Sequence, residues 1–255
     1  MKYLSKLIPN NIKEIIKLLI NYIYPRNITC IICDNPIKLS NSYSLCKDCY
    51  NNLHFILDGC NKCGKPILNF NFERESLITC NYCYNKTFYF DKVISCIAYD
   101  EISKKLILDY KYKNKTYLCR YIVNLMKEKF ILENIKADYI LYVPLHKKRL
   151  KKRGFNQSER IASRLSEVLD SIERVKNTKR LYNMNKINRE KELKNGFSIK
   201  ENINLIKNKS IILIDDIFTT GSTVNEISKI LKINGVNHIC VFTLLTTYVD
   251  TYAKE

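Results

Sequence analysis

Apolar residues fall along this chain in two rhythms, and the alternation between them predicts an α/β fold. Asp91–Tyr99 (DKVISCIAY), Tyr139–Pro144 (YILYVP), Ile211–Ile214 (IILI) and the segment HICVFTLL from His238 are short runs rich in β-branched and aromatic residues. Runs that are apolar at successive positions suit strands buried on both faces of a parallel sheet. Between them the period lengthens to that of a helix. It is seen at Ile102, Leu106, Ile107 and Tyr110, at Leu118, Ile122, Leu125 and Met126, at Ile161, Leu165 and Leu169, and at Val224, Ile227 and Leu231. Asn234-Gly235 is a stop signal for the last of these. Asn177 to Phe197 is polar and without a period, which predicts a long loop of the kind that serves as a lid. At the amino terminus Ile12, Ile15, Ile16, Leu19 and Ile23 share one helical face, expected to dock on the chain's own surface.

Residues 29 to 88 break both rhythms. Eight of the eleven cysteines form four CxxC pairs there, Cys30/Cys33, Cys46/Cys49, Cys60/Cys63 and Cys80/Cys83. The segment is a tandem repeat: CIICDNPI recurs as CNKCGKPI, and CKDCYN recurs as CNYCYN. Two such knuckles close one all-cysteine tetrahedral zinc site, so the repeat predicts two structural zinc ions. Pairing within each repeat is preferred, with a crossed arrangement left open. A disulfide framework is the alternative, and it requires an oxidising compartment. Four thiolates leave no open coordination position, so neither zinc is expected to be catalytic. The expected division is an N-terminal helix (1–28), a double ribbon (29–88) and the α/β domain (89–250). Loss of a ribbon zinc ligand is expected to leave the α/β domain able to bind its own ligand. Cys96, Cys119 and Cys240 sit in apolar surroundings and read as core. His54 and His238 have no partner at ligand spacing and read as structural.

The stretch IILIDDIFTTGST carries the chemistry. Its strand would end at Ile214 and release Asp215 and Asp216 at the carboxyl edge of the sheet, where ligands of open α/β folds gather. Thr219, Thr220, Gly221, Ser222 and Thr223 follow, with Ser222 or Thr223 expected to cap the next helix. A small-residue turn entering a helix offers N–H groups, hydroxyls and the helix dipole to a phosphate. The carboxylates cannot bind that phosphate and suit sugar hydroxyls and, indirectly, a divalent metal. Phosphate at one end and diol at the other describe a ribose 5-phosphate.

Charge adds a second anion-binding feature. Lys plus Arg number 43 and Asp plus Glu 25, a net charge of +18, which points to nucleotides, polyphosphate or nucleic acid. A chain rich throughout in Lys, Asn, Ile and Tyr carries part of that charge as general residue usage. The most basic stretch is HKKRLKKRGFNQS, with six basic residues among the seven from Lys147 to Arg153. No segment approaches the roughly 18–20 apolar residues that cross a membrane. With no secretory signal expected at the amino terminus, the predicted location is cytoplasmic.

The string at Ile211–Thr223 resembles the phosphoribosyl pyrophosphate signature of type I phosphoribosyltransferases. Together with VPLHKKRLKKRGFNQSERIA and the amino-terminal ribbon, it identifies the chain as similar to the ComF family, competence-associated phosphoribosyltransferase-like proteins. That resemblance implies a type I phosphoribosyltransferase-like parallel sheet flanked by helices and a role in DNA uptake. It implies binding of phosphoribosyl pyrophosphate with magnesium. Asp215 and Asp216 would take the ribose hydroxyls, and Thr219–Thr223 the 5-phosphate. Arg149 and Arg153, with Asn156 and Gln157, would face the leaving pyrophosphate. It places Thr178 and Arg189, with Phe197, in a hood loop. Leu181 and Glu192 stand where the family commonly has Gln and Asn, which bears on the acceptor. Two roles remain open. One is a transferase; the other is a non-catalytic ligand sensor that touches single-stranded DNA or competence proteins.

Overall fold

A computed structural model describes residues 28–66, 80–84, 86–178 and 186–249, with the isolated helical positions 12, 15 and 19. For residues 186, 187, 189, 190 and 201–203 it describes the backbone alone. The chain divides into two compact units, residues 1–52 and 53–255. The second cysteine repeat therefore belongs with the α/β part.

The first unit holds the first repeat. Cys30 N–H donates to Asn35 O at 2.8 Å and Asp34 N–H to Cys30 O at 2.9 Å, forming a tight knuckle with Asp34 at φ +62°. The second knuckle opens helix α1 (Lys47–Asn51), where the Cys46 sulfur accepts from Cys49 N–H. In this unit Ile12, Ile15 and Leu19 are helical and about half exposed (47%, 55% and 55%), so at these positions the expected docking is not seen. Ile16 and Ile23 lie outside the described residues.

In the second unit strands β1 (Lys92–Ala98), β2 (Tyr139–Tyr142), β5 (Ser210–Phe218) and β6 (His238–Thr246) form a parallel sheet in the order β1-β6-β5-β2. Helices α2 (Glu101–Tyr112), α3 (Leu118–Leu132), α4 (Lys147–Arg153), α5 (Gln157–Leu165) and α7 (Ser222–Ile233) connect these strands. A separate antiparallel pair, β3 (Ile172–Arg174) with β4 (Phe197–Ile199), flanks helix α6 (Lys186–Leu193). Ile211–Ile214 of β5 are at most 1% exposed, as continuous apolar runs at the centre of a parallel sheet should be. Predicted helix faces are buried as expected: Leu106, Ile107 and Tyr110 on α2, Ile122 and Met126 on α3, and Val224, Ile227 and Leu231 on α7. Asp100 caps α2 in a reciprocal box with Ser103, and Gly235 at φ +86° follows the end of α7. Cys96, Cys119 and Cys240 are core residues, while His54 and His238 pair with Asp100 and Asp91 at 2.9 and 3.4 Å.

Three expectations are corrected. Strand β5 does not stop at Ile214 but runs through both aspartates, because β6 continues to pair with it at Asp215↔Thr243 and Phe218↔Thr246. The polar stretch from Asn177 contains helix α6, which packs against α7 and is not marked by an apolar period of its own. Leu169 lies beyond the end of α5, where Ser166 is extended and Val168 bridges to Ile140.

The second repeat reproduces the knuckle of the first: Cys60 N–H donates to Lys65 O at 2.9 Å and Gly64 N–H to Cys60 O at 2.8 Å. Gly64 sits at φ +64°, and a Cβ there would lie 2.5 Å from the Val93 carbonyl oxygen of β1. Gly64→Ala combines left-handed strain, about 1–3 kcal/mol, with a backbone clash that no rotamer relieves. Thermal unfolding is expected to show a clear loss of stability; an unchanged midpoint would mean that the knuckle does not abut β1.

Candidate functional site

Because β5 continues past Ile214, its two aspartates lie in extended backbone, where successive side chains point to opposite sides. Their partners differ accordingly. Asp215 Oδ1 accepts from Ser158 Oγ of α5 at 3.2 Å and from Asp216 N–H at 2.9 Å. Asp216 Oδ2 pairs with Lys111 Nζ of α2 at 2.7 Å, both side chains 14% exposed. Burial, then the neighbouring charge of Asp216, pushes the Asp215 carboxyl up to about 7 against the pull of Lys111 and Ser158.

Beyond Phe218 the chain turns through Thr219 and Thr220 into Gly221 at φ +69°, the N-cap of α7. Gly221 and not Ser222 or Thr223 takes the cap, since the turn needs a left-handed residue there, and Ser222 becomes the first helical position. Gly221 has no side chain with which to cap the helix, and the Thr220 and Ser222 hydroxyls meet at 2.9 Å. A Cβ on Gly221 would lie 2.7 Å from the Phe218 ring. Asp215, Ile217 and Thr219 to Thr223 line one small cavity. The arrangement gathers a carboxylate, four threonine or serine hydroxyls and the glycine-capped start of a 12-residue helix around one space.

The basic stretch is helix α4, none of whose residues is buried. Its side chains separate by type. Lys147, Lys148, Lys151 and Lys152 are exposed, whereas Arg149 and Arg153 are half-buried. Arg149 donates to the Thr178 carbonyl. Arg153 donates to Gln157 Oε1 and, at 3.2 Å, to the Tyr112 hydroxyl, with its guanidinium 5.0 Å from that ring. Gly154, at φ +81°, ends α4. Phe155 packs beside Tyr110 at 5.4 Å, with the Arg160 guanidinium 4.9 Å from its ring. Asn156 caps α5 and donates to the Val143 carbonyl, and Gln157 is buried with Nε2 unpartnered. RGFNQ is thus the corner that fixes α5, and with it Ser158, against β5. Thr178 is buried and accepts from Arg174, whose guanidinium lies 5.3 Å from the Phe197 ring. Burial and the charge of Arg149 lower Arg174 to about 10. The side chain of Arg189, and Leu181 altogether, lie outside the described residues.

Both cysteine quartets are assembled within their own repeat. Cys30, Cys33, Cys46 and Cys49 form one cluster and Cys60, Cys63, Cys80 and Cys83 the other, the four sulfurs of each within 4.8 Å of one another. Sulfur pairs at 3.7 Å (Cys33–Cys46), 3.8 Å (Cys60–Cys83) and 3.5 Å (Cys63–Cys80) are too long for disulfides. They match the separation of about 3.8 Å that Zn–S bonds of about 2.3 Å impose on a tetrahedron. The donor sets therefore fit zinc, and they are closed.

Comparison with known proteins agrees with both halves. Residues 19–87 match the double zinc ribbon domain and residues 150–255 the phosphoribosyl transferase domain. Competence protein F of Haemophilus influenzae is 31% identical over 218 residues, which cover 78% of this chain and 95% of that protein. The chain belongs to the competence protein F family. DNA utilization protein YhgH of Escherichia coli is 26% identical over 233 residues, covering 86% of this chain and 96% of the relative. Competence protein ComFC of Streptococcus pneumoniae is 26% identical over 229 residues, covering 85% and 99%. A hypoxanthine phosphoribosyltransferase of Staphylococcus aureus shares 18% identity, with 53% of this chain and 71% of that chain covered and a TM-score of 0.32. No helix among the described residues is long and apolar enough to cross a membrane.

In this member of the family, sequence reasoning missed Ser158, although it follows the RGFNQ motif directly. Nothing in the sequence linked Lys111 to Asp216. A carboxyl whose folded pKa is raised opposes folding once it ionises. Its cost is absent below the ordinary carboxylate range, grows as pH rises, and is complete above about 7. Asp215→Asn is therefore expected to gain stability over the parent protein as pH rises from 4 to 8. Denaturant titrations across that range check it; a difference independent of pH would mean that Asp215 titrates normally.

Proposed function

We propose that this protein binds magnesium phosphoribosyl pyrophosphate at the end of β5. The observation that carries this reading is the single cavity shared by Asp215 and the Thr219–Thr223 turn at the glycine-capped start of α7. The 5-phosphate would take the turn's N–H groups and hydroxyls, and the ribose diol would face Asp215, with Asp216 alongside. Magnesium carried on the donor's pyrophosphate would supply charge neutralisation there, with Asp215 and Asp216 the carboxylates placed to hold it indirectly. The acceptor would attack the anomeric carbon as the bond to pyrophosphate breaks, so positioning and charge suffice and no side-chain nucleophile is needed. Arg149 and Arg153, the arginines of α4, would face the departing pyrophosphate and stabilise its charge. Family membership supports a role in competence or DNA utilization, which we place in the cytoplasm as DNA uptake alongside competence proteins. Thr178 and Arg189 would contribute from the hood.

Calorimetric titration tests the site. Replacing Asp215 and Asp216 by asparagine is expected to weaken donor binding by roughly 1.5–3 kcal/mol for each charge-assisted hydrogen bond lost. Asp216→Asn also strips Lys111 of its partner, so a circular dichroism check that the variant is folded accompanies the titration. Unchanged affinity in a folded variant would sink the assignment. Pyrophosphate release with a panel of bases or single-stranded DNA separates a transferase from a sensor.

A second reading, contact with single-stranded DNA, is favoured by one observation: the four lysines of α4 face solvent while its two arginines turn onto the protein. Lysines would then carry DNA and arginines the donor, and the two ligands are expected to bind together without competing. The affinity read from fluorescence anisotropy of a labelled oligonucleotide should fall with salt by roughly 0.7 log unit per log unit for each phosphate neutralised. Replacing the four lysines by glutamine should flatten that slope. Displacement of DNA by the sugar donor would instead place both on the arginines.

A further inference from the structure

The second cysteine repeat touches the phosphate turn. Tyr82, between Cys80 and Cys83, donates its hydroxyl to the Thr220 carbonyl at 2.8 Å. Its ring begins an aromatic series that ends under the same turn. Tyr82 stacks on Phe88 at 6.3 Å, Phe88 on Phe90 at 4.8 Å, and Phe90 meets Phe218 edge-on at 5.9 Å. Phe218 is the ring on which Gly221 is seated, with a Phe90 ring carbon 3.6 Å from the Cβ position of that glycine. Lys65, 2% exposed, binds the Thr247 carbonyl at 2.9 Å with its ammonium 5.0 Å from the Tyr82 ring centre. All four cysteines of the second cluster share one buried apolar cluster with Phe90, Phe218 and Val224.

The two repeats differ where these contacts are made. Tyr82 stands where the first copy has Asp48, Lys65 where it has Asn35, and Lys62, which donates to the Phe90 carbonyl at 2.6 Å, where it has Ile32. Knuckle geometry is common to both copies, and the attachment residues belong to the second alone. A tetrahedral ion fixes the Cys80–Cys83 knuckle, and the knuckle fixes where the Tyr82 hydroxyl points.

We propose that Tyr82 is a positioning residue for the phosphate turn, and that zinc at Cys60, Cys63, Cys80 and Cys83 is thereby linked to the turn's ligand affinity. The expectation that loss of a ribbon zinc leaves ligand binding untouched is reversed for this cluster. The affinity half rests on the turn being the 5-phosphate site; the positioning half does not. Linkage is reciprocal, so whatever stabilises the turn also retains the ion.

Hydrogen exchange of the full chain without ligand tests the positioning. Tyr82→Phe removes one hydroxyl and keeps the ring. With two zinc ions retained and the thermal midpoint unchanged, exchange at residues 219–223 is expected to quicken roughly two- to tenfold, the loss of one hydrogen bond. Tyr84→Phe, at a neighbouring side chain 73% exposed, should leave that exchange alone. Cys80→Ser, which releases the second ion, should quicken it at least as far as Tyr82→Phe. Wild-type exchange at the turn in Tyr82→Phe or Cys80→Ser would overturn the proposal. Titration with magnesium phosphoribosyl pyrophosphate then reads the linkage, with a similar loss of affinity expected in Tyr82→Phe. If the parent protein does not bind that donor, the site reading fails while the exchange result stands. If the parent binds and Tyr82→Phe binds equally well, the linkage fails and the site reading stands.

Discussion

Burial of Ile211–Ile214 between β6 and β2 is the constraint on which the site depends. Those four residues are excluded from water, and the pairing that excludes them does not stop at the last isoleucine. It carries Asp215 and Asp216 into the sheet's own hydrogen-bond ladder, where neither has the freedom of a loop residue. Two carboxylates at adjacent positions of one strand, on its opposite sides, still repel each other, and each is largely withdrawn from water. The fold answers with one cation, one hydroxyl and one N–H: Lys111 for Asp216, and Ser158 with the Asp216 amide for Asp215. The cation and the hydroxyl are supplied by α2 and α5, so the position of both helices is tied to the charge state of β5.

The same reasoning accounts for RGFNQ. A motif of one arginine, one glycine, one aromatic and two amides invites a reading in which each polar group meets the ligand. In the structure Gly154 ends one helix, Asn156 begins the next, and Phe155 fills the gap between them. That corner sets the first turn of α5, which presents Ser158 to Asp215. Most of the motif thus acts at one remove, through helix placement, and Arg153 is braced on Tyr112 and Gln157 rather than extended into solvent. A run of seven residues with six positive charges is resolved into two populations by the helical period, which turns Arg149 and Arg153 inward, four residues apart, and leaves the lysines out.

The parallel strands, the buried helix faces and both zinc clusters were legible in the sequence, because each is written in a local period or spacing: continuous apolar runs, a 3.6-residue recurrence, CxxC. What was not legible depends on pairing between distant segments. The extension of β5 past Ile214 is decided by β6, and polar residues inside a strand carry no periodic mark of it. The Lys111–Asp216 pair joins positions 105 residues apart, by subtraction of their numbers. Helix α6 has no apolar stripe to announce it, since its sequence KINREKEL is charged on every side. At the turn, Ser222 and Thr223 were the expected N-caps, and the choice of Gly221 follows from the left-handed backbone needed above the Phe218 ring, a tertiary requirement.

Duplication explains why the ribbon could be recognised as a unit yet not be one. Each copy closes its own sulfur tetrahedron with the same two backbone hydrogen bonds, so the repeat reads as two equal modules. Equality ends at positions that do not touch metal. Exchanging Asp for Tyr at 82, Asn for Lys at 65 and Ile for Lys at 62 gives the second copy an aromatic ring, a buried ammonium and a carbonyl ligand, all directed at the α/β core. None of the three changes alters zinc coordination, so metal binding itself exerts no pressure for them. Their common destination is the ground beneath Phe218 and Thr220. A structural ion placed there would reach the Thr219–Thr223 turn through packing alone, with no coordination position of its own to offer a ligand.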